Sequence, residues 1–309
     1  MAFEKIVLVT RKTRLMELIA RFNTRAQAKF YIEHSGGDFA EYEREDAAYA
    51  KALTAVRQSL EVGLKVQLID RELSPTFLFA PTDIVVTLGQ DGLVANTAKY
   101  VGGQPLVAIN PDPERFDGVL LPFAVAQARA AVTAVLRGAC RLRPVTLAEV
   151  RLDDDQRLVA FNDLFIGARS HVSARYRIGW RGRSEPHSSS GVVISTGAGS
   201  TGWLSSIFNM AGGILAMTAG ATASLPRPSL SWEDPRLMFV VREPFISRHS
   251  RAGVVAGIVE PSEELRLESA MPASGVIFSD GVEADYLNFN SGAVAHIRAA
   301  PQKAHLVVP

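Results

Sequence analysis

The sequence predicts an α/β domain with a parallel sheet, followed by an all-β sandwich domain. In the first half, apolar strand-like runs alternate with helical patterns, which is typical of a parallel sheet covered by helices on both faces. After about Arg143, short alternating runs separated by turn residues replace this pattern, as expected for layered antiparallel sheets. The length of 309 residues fits two domains of ordinary size.

The spacing of apolar residues places the individual elements. The first half is predicted to contain strands at 5–10, 65–70, 84–88 and 105–109. Its helical patterns cover 14–22, 26–34, 47–62, 93–101 and 123–137. The second half is predicted to contain one helix at about 204–217 and strands at 147–152, 158–166, 174–180, 191–196, 237–241, 253–259, 264–268, 275–278 and 294–298.

The composition restricts the classes of function. A formal net charge of +1 provides no bulk basicity, so no nucleic-acid partner is predicted. Cys140 is the single cysteine, which excludes an internal disulfide and a cysteine-built zinc site, and we expect a buried, inert thiol. The sequence shows no leader pattern and no run of ~18 apolar residues, so a cytoplasmic protein without a membrane partner is predicted.

Residues 87–92, Thr-Leu-Gly-Gln-Asp-Gly, lie between an apolar strand and a helical segment. Gly89 and Gly92 permit close backbone approach, and the start of the next helix offers free N–H groups to a polyphosphate. Asp91 is then the one carboxylate inside an anion site, which suits a group that holds a metal or takes a proton from a hydroxyl. The stretch therefore predicts phosphoryl transfer.

A second glycine-rich stretch, residues 195–203 (Ser-Thr-Gly-Ala-Gly-Ser-Thr-Gly-Trp), also follows an apolar strand. Its glycines and hydroxyls suit hydrogen bonds to a nucleotide. The alternative is a tight turn that caps the following helix, with Ser200 or Thr201 as N-cap. Two such stretches in one chain, each at a change from strand to helix, favour ligand binding.

Three further clusters have a functional and a structural interpretation. Asn162-Asp163 interrupts an apolar strand and could grip a diol or an amide, although such a pair is more often a turn or bulge. Asp280-Gly281 is typical of a type I′ hairpin turn. Arg11, Lys12 and Arg14 could meet phosphates at the sheet edge that carries Gly89, and a solvated basic turn is the equally supported alternative.

Several standard signatures are absent from the sequence. The six histidines have no metal-ligand spacing, so no metal site built by the protein itself is predicted. Neither a phosphate loop ending in Gly-Lys-Ser/Thr nor a Rossmann glycine motif after the first strand is present. Standard P-loop kinases and standard dehydrogenases are therefore excluded.

The order of these motifs resembles the NAD kinase family, whose superfamily includes diacylglycerol kinases and 6-phosphofructokinases. The resemblance implies a Rossmann-like α/β domain at 1–143, a β-sandwich domain at 144–289, and a segment at 290–309 that returns to the first domain. It also implies a homodimer or homotetramer, with the site between the two domains. The implied reaction transfers a phosphoryl group from ATP to the 2′-hydroxyl of the adenosine ribose of NAD, which produces NADP, and Mg²⁺ is bound through the ATP phosphates.

The resemblance assigns roles to particular residues. Asp91 matches the aspartate that orients and deprotonates the attacking hydroxyl, and Gly89, Gln90 and Gly92 belong to the phosphate-binding loop. Trp203 stands where a tyrosine is usual, so an aromatic wall is retained. The residues that match the NAD-binding positions are Asn162, Asp163, Ser190, Thr196, Gly199, Ser200, Thr201, Trp203 and Asp280.

The sequence departs from the family pattern at four places. Gln90 replaces a glycine, Asp163 replaces a longer glutamate, and Gly197-Ala198 replaces the usual Pro-Thr. Ser190 replaces an aspartate that contacts NAD, and the loss of such a charge-assisted hydrogen bond costs about 1.5–3 kcal/mol, or roughly tenfold to over a hundredfold in affinity.

These departures leave two alternatives beside an NAD kinase. The first is a kinase of the same fold that acts on a sugar, another nucleotide or a lipid. A lipid acceptor would need an exposed apolar patch, for which residues 77–79 (Phe-Leu-Phe) are the candidates, although we expect them to lie in the core. The second is a nucleotide sensor without catalytic activity.

Overall fold

The computed structural model describes residues 2–219, 226 and 230–309, and the chain forms two compact units. Unit 1 comprises the residues up to Arg143 together with His305–Pro309, and unit 2 comprises Pro144–Ala304. The division after Arg143 lies where the sequence changes character. The C-terminal segment that groups with unit 1 begins at His305, which is 15 residues later than the sequence-based boundary at Asn290.

Unit 1 is an α/β domain with a parallel sheet. Its strands are β1 (Lys5–Thr10), β2 (Lys65–Asp70), β3 (Asp83–Leu88), β4 (Pro105–Asn110) and β5 (Phe123–Ala124). Its helices are α1 (Arg14–Phe22), α2 (Arg25–His34), α3 (Phe39–Ser59), α4 (Asp91–Ala98) and α5 (Ala128–Leu136). The strand order is β2-β1-β3-β4, and both β5 and His305–Leu306 near the end of the chain pair with β4 in parallel.

The central strands of unit 1 are buried on both faces. Every side chain of β3 is buried, and so are the last five of β1 and of β4. Continuous apolar strands of this kind require helices on each side of the sheet. α3 covers one part of this core with Tyr49, Ala52 and Val56, and α5 contributes Val132 and Val135. The predicted α/β architecture is therefore confirmed.

Two helix starts in unit 1 differ from the sequence-based prediction. α3 begins at Phe39, eight residues earlier than expected, because the side chain of Asp38 caps it by accepting the Ala40 N–H at 2.9 Å. α5 begins at Ala128 rather than Phe123, since Phe123 pairs with Ile109 of β4 and extends the sheet. Both differences depend on a hydrogen-bond or strand partner that the periodicity of apolar residues does not reveal.

Two expectations about apolar residues in unit 1 were wrong. Leu78 is 90% exposed instead of buried, while Phe77 and Phe79 are half-buried and contact each other edge-on at 4.8 Å. Cys140 is half-buried rather than buried, and it lines a pocket of about 300 Å³ beside α5.

Unit 2 is a sandwich of two antiparallel sheets. Its strands are β6 (Arg141–Leu152), β7 (Arg157–Ala160), β8 (Asp163–Ala168), β9 (Ala174–Trp180), β10 (Arg183–Ser189), β11 (Val192–Ser195), β12 (Leu237–Val241), β13 (Ala256–Val259), β14 (Leu265–Ser269), β15 (Gly275–Ser279), β16 (Val282–Asn288) and β17 (Val294–Val308). The first residues of β6, 141–143, belong to unit 1, and so do the last residues of β17, 305–308. One sheet has the order β10-β9-β14-β17, with β6 paired to β17 and β7, and the other has the order β13-β12-β11-β8-β15-β16.

The core of unit 2 lies between these sheets. Tyr176 and Ile178 of β9 share one buried apolar cluster with Ile194 of β11 and Phe239 of β12. The predicted sandwich is therefore confirmed. The predicted helix inside it is α6 (Trp203–Ala219).

The pattern missed some strands of the sandwich. The strand expected at 158–166 is two strands, β7 and β8, with a break at residues 161–162. β10 was not predicted because Arg183–Ser189 is largely polar, and the second strand of the hairpin at Asp280-Gly281, β16, was also missed. The expected hairpin turn is confirmed, since Asp280 and Gly281 both have the positive φ that type I′ requires.

No helix among the described residues is long and apolar enough to cross a membrane.

One tyrosine connects the carboxyl ends of two strands in unit 1. The buried hydroxyl of Tyr49, on α3, accepts the Arg11 N–H at 3.1 Å and donates to the Leu88 carbonyl at 2.9 Å. Arg11 follows β1 and Leu88 ends β3, so this hydroxyl satisfies a main-chain donor and a main-chain acceptor at the carboxyl edge of the parallel sheet.

We expect Tyr49→Phe to lower the free energy of unfolding by about 1–3 kcal/mol, because it leaves one buried N–H and one buried carbonyl without a partner. Urea denaturation measures this change. Tyr42→Phe is the matched control, since Tyr42 lies on the same helix and its hydroxyl has no hydrogen-bond partner within the described ranges. Equal effects of the two substitutions would contradict this role of Tyr49.

Candidate functional site

The Gly-Gln-Asp-Gly stretch forms the junction between β3 and α4 in unit 1. Gln90 has an extended backbone and acts as N-cap of α4, and its carbonyl accepts the N–H groups of Leu93 at 2.9 Å and Val94 at 3.4 Å. The N–H groups of Asp91 and Gly92 have no hydrogen-bond partner in the described part of the chain. A Cβ atom at Gly92 would meet nothing within 4 Å, so space for a ligand lies beside these donors.

The Asp91 side chain is half-buried at this junction. Its Oδ1 accepts the Leu120 N–H at 2.8 Å, which anchors the carboxylate to the loop before β5. Its Oδ2 has no hydrogen-bond partner among the described residues. One oxygen is therefore held in place while the other remains available to a ligand.

The two glycines of the junction have different roles. Gly89 is buried, its N–H donates to the Ile109 carbonyl at 3.3 Å, and a Cβ there would lie 2.7 Å from Cδ2 of Leu93. Gly89 is thus required for packing of α4 against the sheet, and its N–H is already engaged. The open position is Gly92, beside the half-buried Gln90.

The basic residues after β1 are paired with carboxylates. Arg11 contacts Glu45 at 3.0 Å, and Lys12 contacts both oxygens of Glu72 at 2.9 Å. Arg14 contacts Glu45 at 2.6 Å and Glu41 at 2.9 Å. A role in phosphate binding stays a prediction for these three residues, and it would require charge beyond what the carboxylates already balance.

The pKa of Glu45 shows the strength of this pairing. Burial acts to raise the pKa of Glu45, but hydrogen bonds and charge from Arg14 and Arg11 outweigh it, so the pKa lies below its ordinary value. Glu45 is therefore an anion that keeps both guanidinium groups close to α3.

In unit 2, the Asp280 carboxylate holds the break between β7 and β8. Oδ2 accepts the Phe161 N–H at 2.9 Å, and Oδ1 accepts the N–H groups of Asn162 at 2.7 Å and Asp163 at 3.3 Å. The Asp280 N–H in turn donates to the Asp163 carbonyl at 3.0 Å. The carboxylate thereby positions the Asn-Asp pair through its backbone.

Among the described carboxyl groups of unit 2, Asp163 has the pKa that lies furthest from its ordinary value. Burial raises its pKa from 3.8 to about 7, the nearby charge of Asp280 adds to the shift, and the Ser195 hydroxyl opposes it. Its Oδ1 is buried without a hydrogen-bond partner. A carboxyl group with an unused acceptor and a pKa near neutrality is typical of a ligand-binding site.

A pocket of about 190 Å³ opens beside this carboxyl group. Phe165 stacks on Trp203 at 5.6 Å and on Phe278 at 4.9 Å, which forms an aromatic wall. The residues that line the pocket are Asn162, Asp163, Phe165, Trp203, Phe278, Asp280 and Gly281. This volume lies below the ~300–1,000 Å³ of a complete ligand pocket, so the cavity suits one planar ring of a larger molecule.

Two aromatic residues of this wall were missed by the sequence analysis. Phe165 lies in β8 and Phe278 in β15, and each reads as an ordinary apolar strand residue. The pairing of Phe165 with Phe278 between neighbouring strands brings them together. Their positions two residues from Asp163 and from Asp280 are the only local signal that could have indicated them.

The stretch 195–203 folds as a tight turn packed on the Asn-Asp pair. The buried Thr196 donates from Oγ1 to the Phe161 carbonyl at 2.6 Å, and its N–H donates to the Asn162 carbonyl at 2.9 Å. A Cβ at Gly199 would lie 2.4 Å from the Asn162 carbonyl oxygen. Thr196 and Gly199 thus serve close packing, and neither lines the pocket.

The hydroxyl residues at the end of this turn lie outside the pocket as well. Ser200 donates from Oγ to the Gly197 carbonyl at 2.7 Å, and Thr201 is exposed. Residues 199–201 form a 3₁₀ turn before α6, while Trp203 begins that helix and reaches the pocket. Ser200 and Thr201 thus belong to a tight turn, and ligand binding by these two residues and by Trp203 stays a prediction.

Ser190 lies in the turn between β10 and β11. It is exposed, its N–H donates to the Arg242 carbonyl at 2.9 Å, and it does not line the pocket. Among the described residues, no group of three or more His, Cys, Asp or Glu side chains could hold a metal ion.

We expect Asp280→Ala to lower the free energy of unfolding by about 3 kcal/mol or more, because three main-chain donors lose their acceptor. Asp280→Asn should cost less, since one amide oxygen can still serve Asn162 and Asp163 while the amide nitrogen faces the Phe161 N–H. Asparagine also tolerates the φ of 52° at this position. Urea denaturation of both variants tests the order, and an equal cost would argue against the role of the carboxylate.

The shifted pKa of Asp163 predicts a pH dependence of stability. Between about pH 4 and pH 7, Asp163 keeps its proton in the folded chain and has released it in the unfolded chain. The free energy of unfolding therefore falls as the pH rises through that window. Relative to Asp163→Asn, the wild type should lose about 2–4 kcal/mol between pH 4 and pH 8. A stability difference that does not change with pH would rule this out.

No protein-family model and no curated protein matches the sequence. Solved structures that are similar to the chain include two kinases. The crystal structure of yeast NADH kinase complexed with NADH has a TM-score of 0.59 and 16% sequence identity, over 100% of this chain and 84% of that chain. An NAD kinase from Archaeoglobus fulgidus in complex with ATP has a TM-score of 0.56 and 15% identity, over 97% of this chain and 92% of that chain. The chain therefore has the fold of the NAD and NADH kinases, which confirms the fold implied by the sequence resemblance.

Proposed function

We propose that this chain is a kinase that transfers the terminal phosphoryl group of ATP to the 2′-hydroxyl of the adenosine ribose of NAD. The observation that carries the proposal is the junction between β3 and α4. There, a half-buried carboxylate with one free oxygen lies beside two unbonded N–H groups at a helix start. The fold shared with NAD and NADH kinases supports the same assignment.

Unit 1 supplies the groups for the phosphates. The N–H groups of Asp91 and Gly92 and the dipole of α4 attract an anion, and the missing side chain at Gly92 lets the phosphate approach the backbone. These donors suit the terminal phosphates of ATP. A divalent cation such as Mg²⁺ bound to those phosphates would neutralise part of their charge.

Asp91 acts as the general base. Its free Oδ2 accepts the proton of the attacking hydroxyl while the hydroxyl oxygen forms a bond to the γ-phosphorus. The bond between the γ-phosphorus and the bridging oxygen breaks, and ADP leaves with that electron pair. The hydrogen bond from Leu120 to Oδ1 keeps the carboxylate from rotating away from the acceptor.

Unit 2 supplies the groups for the acceptor. The pocket beside Asp163 is large enough for one ring system, and Trp203, Phe165 and Phe278 offer a stacking surface for a base. The unused Oδ1 of Asp163 and the side chain of Asn162 are available to hydroxyl and amine groups of an adenosine portion. These properties support a nucleotide acceptor.

A second candidate is a kinase of the same type with a different alcohol as acceptor. It is favoured by Ser190, which is exposed and uncharged where the NAD kinase pattern has an aspartate. A screen of NAD, NADH, other nucleotides, sugars and lipids with labelled ATP distinguishes the two candidates. Binding of nucleotides without turnover of any acceptor would instead support a sensor.

Asp91→Asn should lower kcat by about 10²–10⁴-fold with little change in the KM for ATP. The asparagine amide has the same shape as the carboxylate but cannot take the proton. Steady-state kinetics with the best acceptor measure this change. Asp155→Asn is the control, since Asp155 is an exposed aspartate in the turn between β6 and β7, it does not line the pocket, and asparagine tolerates its φ of 66°. Near-complete activity of Asp91→Asn would overturn the assignment of the base.

A further inference from the structure

Unit 2 carries a basic surface that the proposed function does not use. Residues 169–177 and 242–251 together contain six arginines and one glutamate, a local charge of +5 in a chain whose net charge is +1. We call this surface the arginine patch and define it by the exposed residues Arg169, Arg175, Arg177, Arg248 and Arg251. The rest of the chain is therefore acidic overall, and the positive charge is concentrated here.

Hydrogen bonds along β10 bring the two segments of the patch together. On one edge of β10, Ser188 accepts the Phe245 N–H and Pro186 accepts the Arg251 N–H, both at 2.8 Å. On the other edge, Ser188 pairs with Arg175 and Pro186 with Arg177 of β9. The loop that contains Phe245 and Arg251 thus lies two strand spacings, or about 10 Å, from the arginines of β9.

Four of the five arginines of the patch lack an ion-pair partner among the described residues. Arg175, Arg177, Arg248 and Arg251 have no ion pair in the ranges that the structure describes. Two acidic residues beside the patch have other partners. Glu243 contacts Arg242 at 3.4 Å, and Glu268, which pairs with Arg177 between strands, contacts Arg266 at 3.4 Å. Arg169 lies over the ring of Tyr286 at 4.3 Å, which leaves its charge in place.

Exposed apolar side chains accompany these arginines. Phe245 is 64% exposed, Ile246 is 71% exposed and Val172 is 58% exposed. Consecutive exposed aromatic and aliphatic residues in a loop are unfavourable on a surface that contacts only water. Their combination with unpaired arginines is typical of segments that enter the interface of an anionic bilayer.

The helix next to the patch has the same apolar character. Arg242 lies 5.5 Å from the ring of Trp203, the first residue of α6. α6 contains no charged residue, and Met210, Ile214 and Met217 are exposed on it at the spacing i, i+4, i+7. This spacing places the three side chains on one face of the helix. A second exposed apolar surface therefore belongs to the same unit.

We propose that unit 2 docks on an anionic lipid bilayer, with the arginine patch at the phosphate headgroups and Phe245 and Ile246 in the interfacial region. This proposal departs from the sequence-based expectation of no membrane partner. Charge complementarity favours an anionic partner. The exposed apolar side chains of the loop favour lipid over nucleic acid, because they can be buried in a bilayer and gain nothing from contact with phosphates. The proposal is independent of the proposed kinase activity, because none of these residues lies at the β3–α4 junction or lines the pocket of unit 2.

Co-sedimentation of the full chain with vesicles tests the proposal. The wild type should bind vesicles of equimolar phosphatidylcholine and phosphatidylglycerol, should ignore pure phosphatidylcholine vesicles, and should be released by high salt. Arg248→Gln with Arg251→Gln should weaken binding about 25-fold, at roughly fivefold per arginine. Phe245→Ser with Ile246→Ser should weaken it at least about tenfold and leave the salt dependence unchanged.

A double substitution in unit 1, Arg57→Gln with Arg137→Gln, is the matched control. Both arginines are exposed and have no ion pair in the described residues, so the loss of charge is identical while binding should stay within about twofold of the wild type. Thermal melting of each variant shows whether it is folded. Equal binding to neutral vesicles, equal loss in the control, or binding to single-stranded DNA but not to vesicles would each overturn the lipid assignment.

Discussion

The three hydrogen bonds to the Asp280 carboxylate are the interaction on which the architecture of unit 2 depends. They hold residues 161–162 out of regular strand pairing, at the point where β7 ends and β8 begins. The backbone at this break provides the carbonyl groups of Phe161 and Asn162, which accept hydrogen bonds from Thr196. One carboxylate from the β15–β16 hairpin therefore determines where the pocket opens and which side chains reach it.

A related constraint operates in unit 1, where the Asp91 carboxylate lies at the helix start that we propose to bind phosphate. Asp91 would repel a phosphate unless it has a chemical use, and its structure fits such a use, since one oxygen is anchored and the other is free. The helix start beside it supplies two unbonded N–H groups that compensate part of the repulsion. The basic residues after β1 pair with Glu41, Glu45 and Glu72, so their role in phosphate binding stays a prediction.

The buried carboxyl of Asp163 connects packing with recognition. A carboxylate without a full set of donors is costly to bury, which is why its pKa rises to about 7. The aromatic rings around it exclude water and strengthen any hydrogen bond that a ligand makes there. The same residue is thus unfavourable to stability above neutral pH and well suited to a ligand that donates hydrogen bonds.

Most of the fold and part of the site could be predicted from local patterns. The buried strands of unit 1, the β-rich second half and the Asp280-Gly281 turn follow from periodicity and turn chemistry, both of which act over a few residues. The polar strand β10 could not be found in this way, because its partners are β9 and a loop some 60 residues further on. The same limit applies to Phe165 and Phe278, which become an aromatic wall only through pairing between strands.

The sequence by itself determined that Asp91 stands between a strand and a helix start, since the glycines around it and the apolar run before it are local signals. Only the tertiary structure decided which neighbours use each polar group. Gly89 packs against Leu93, Asp280 accepts from a distant backbone segment, and Arg11 and Arg14 meet Glu45. Such pairings depend on contacts between residues far apart in the chain, and these exist only after the sheets and helices have packed.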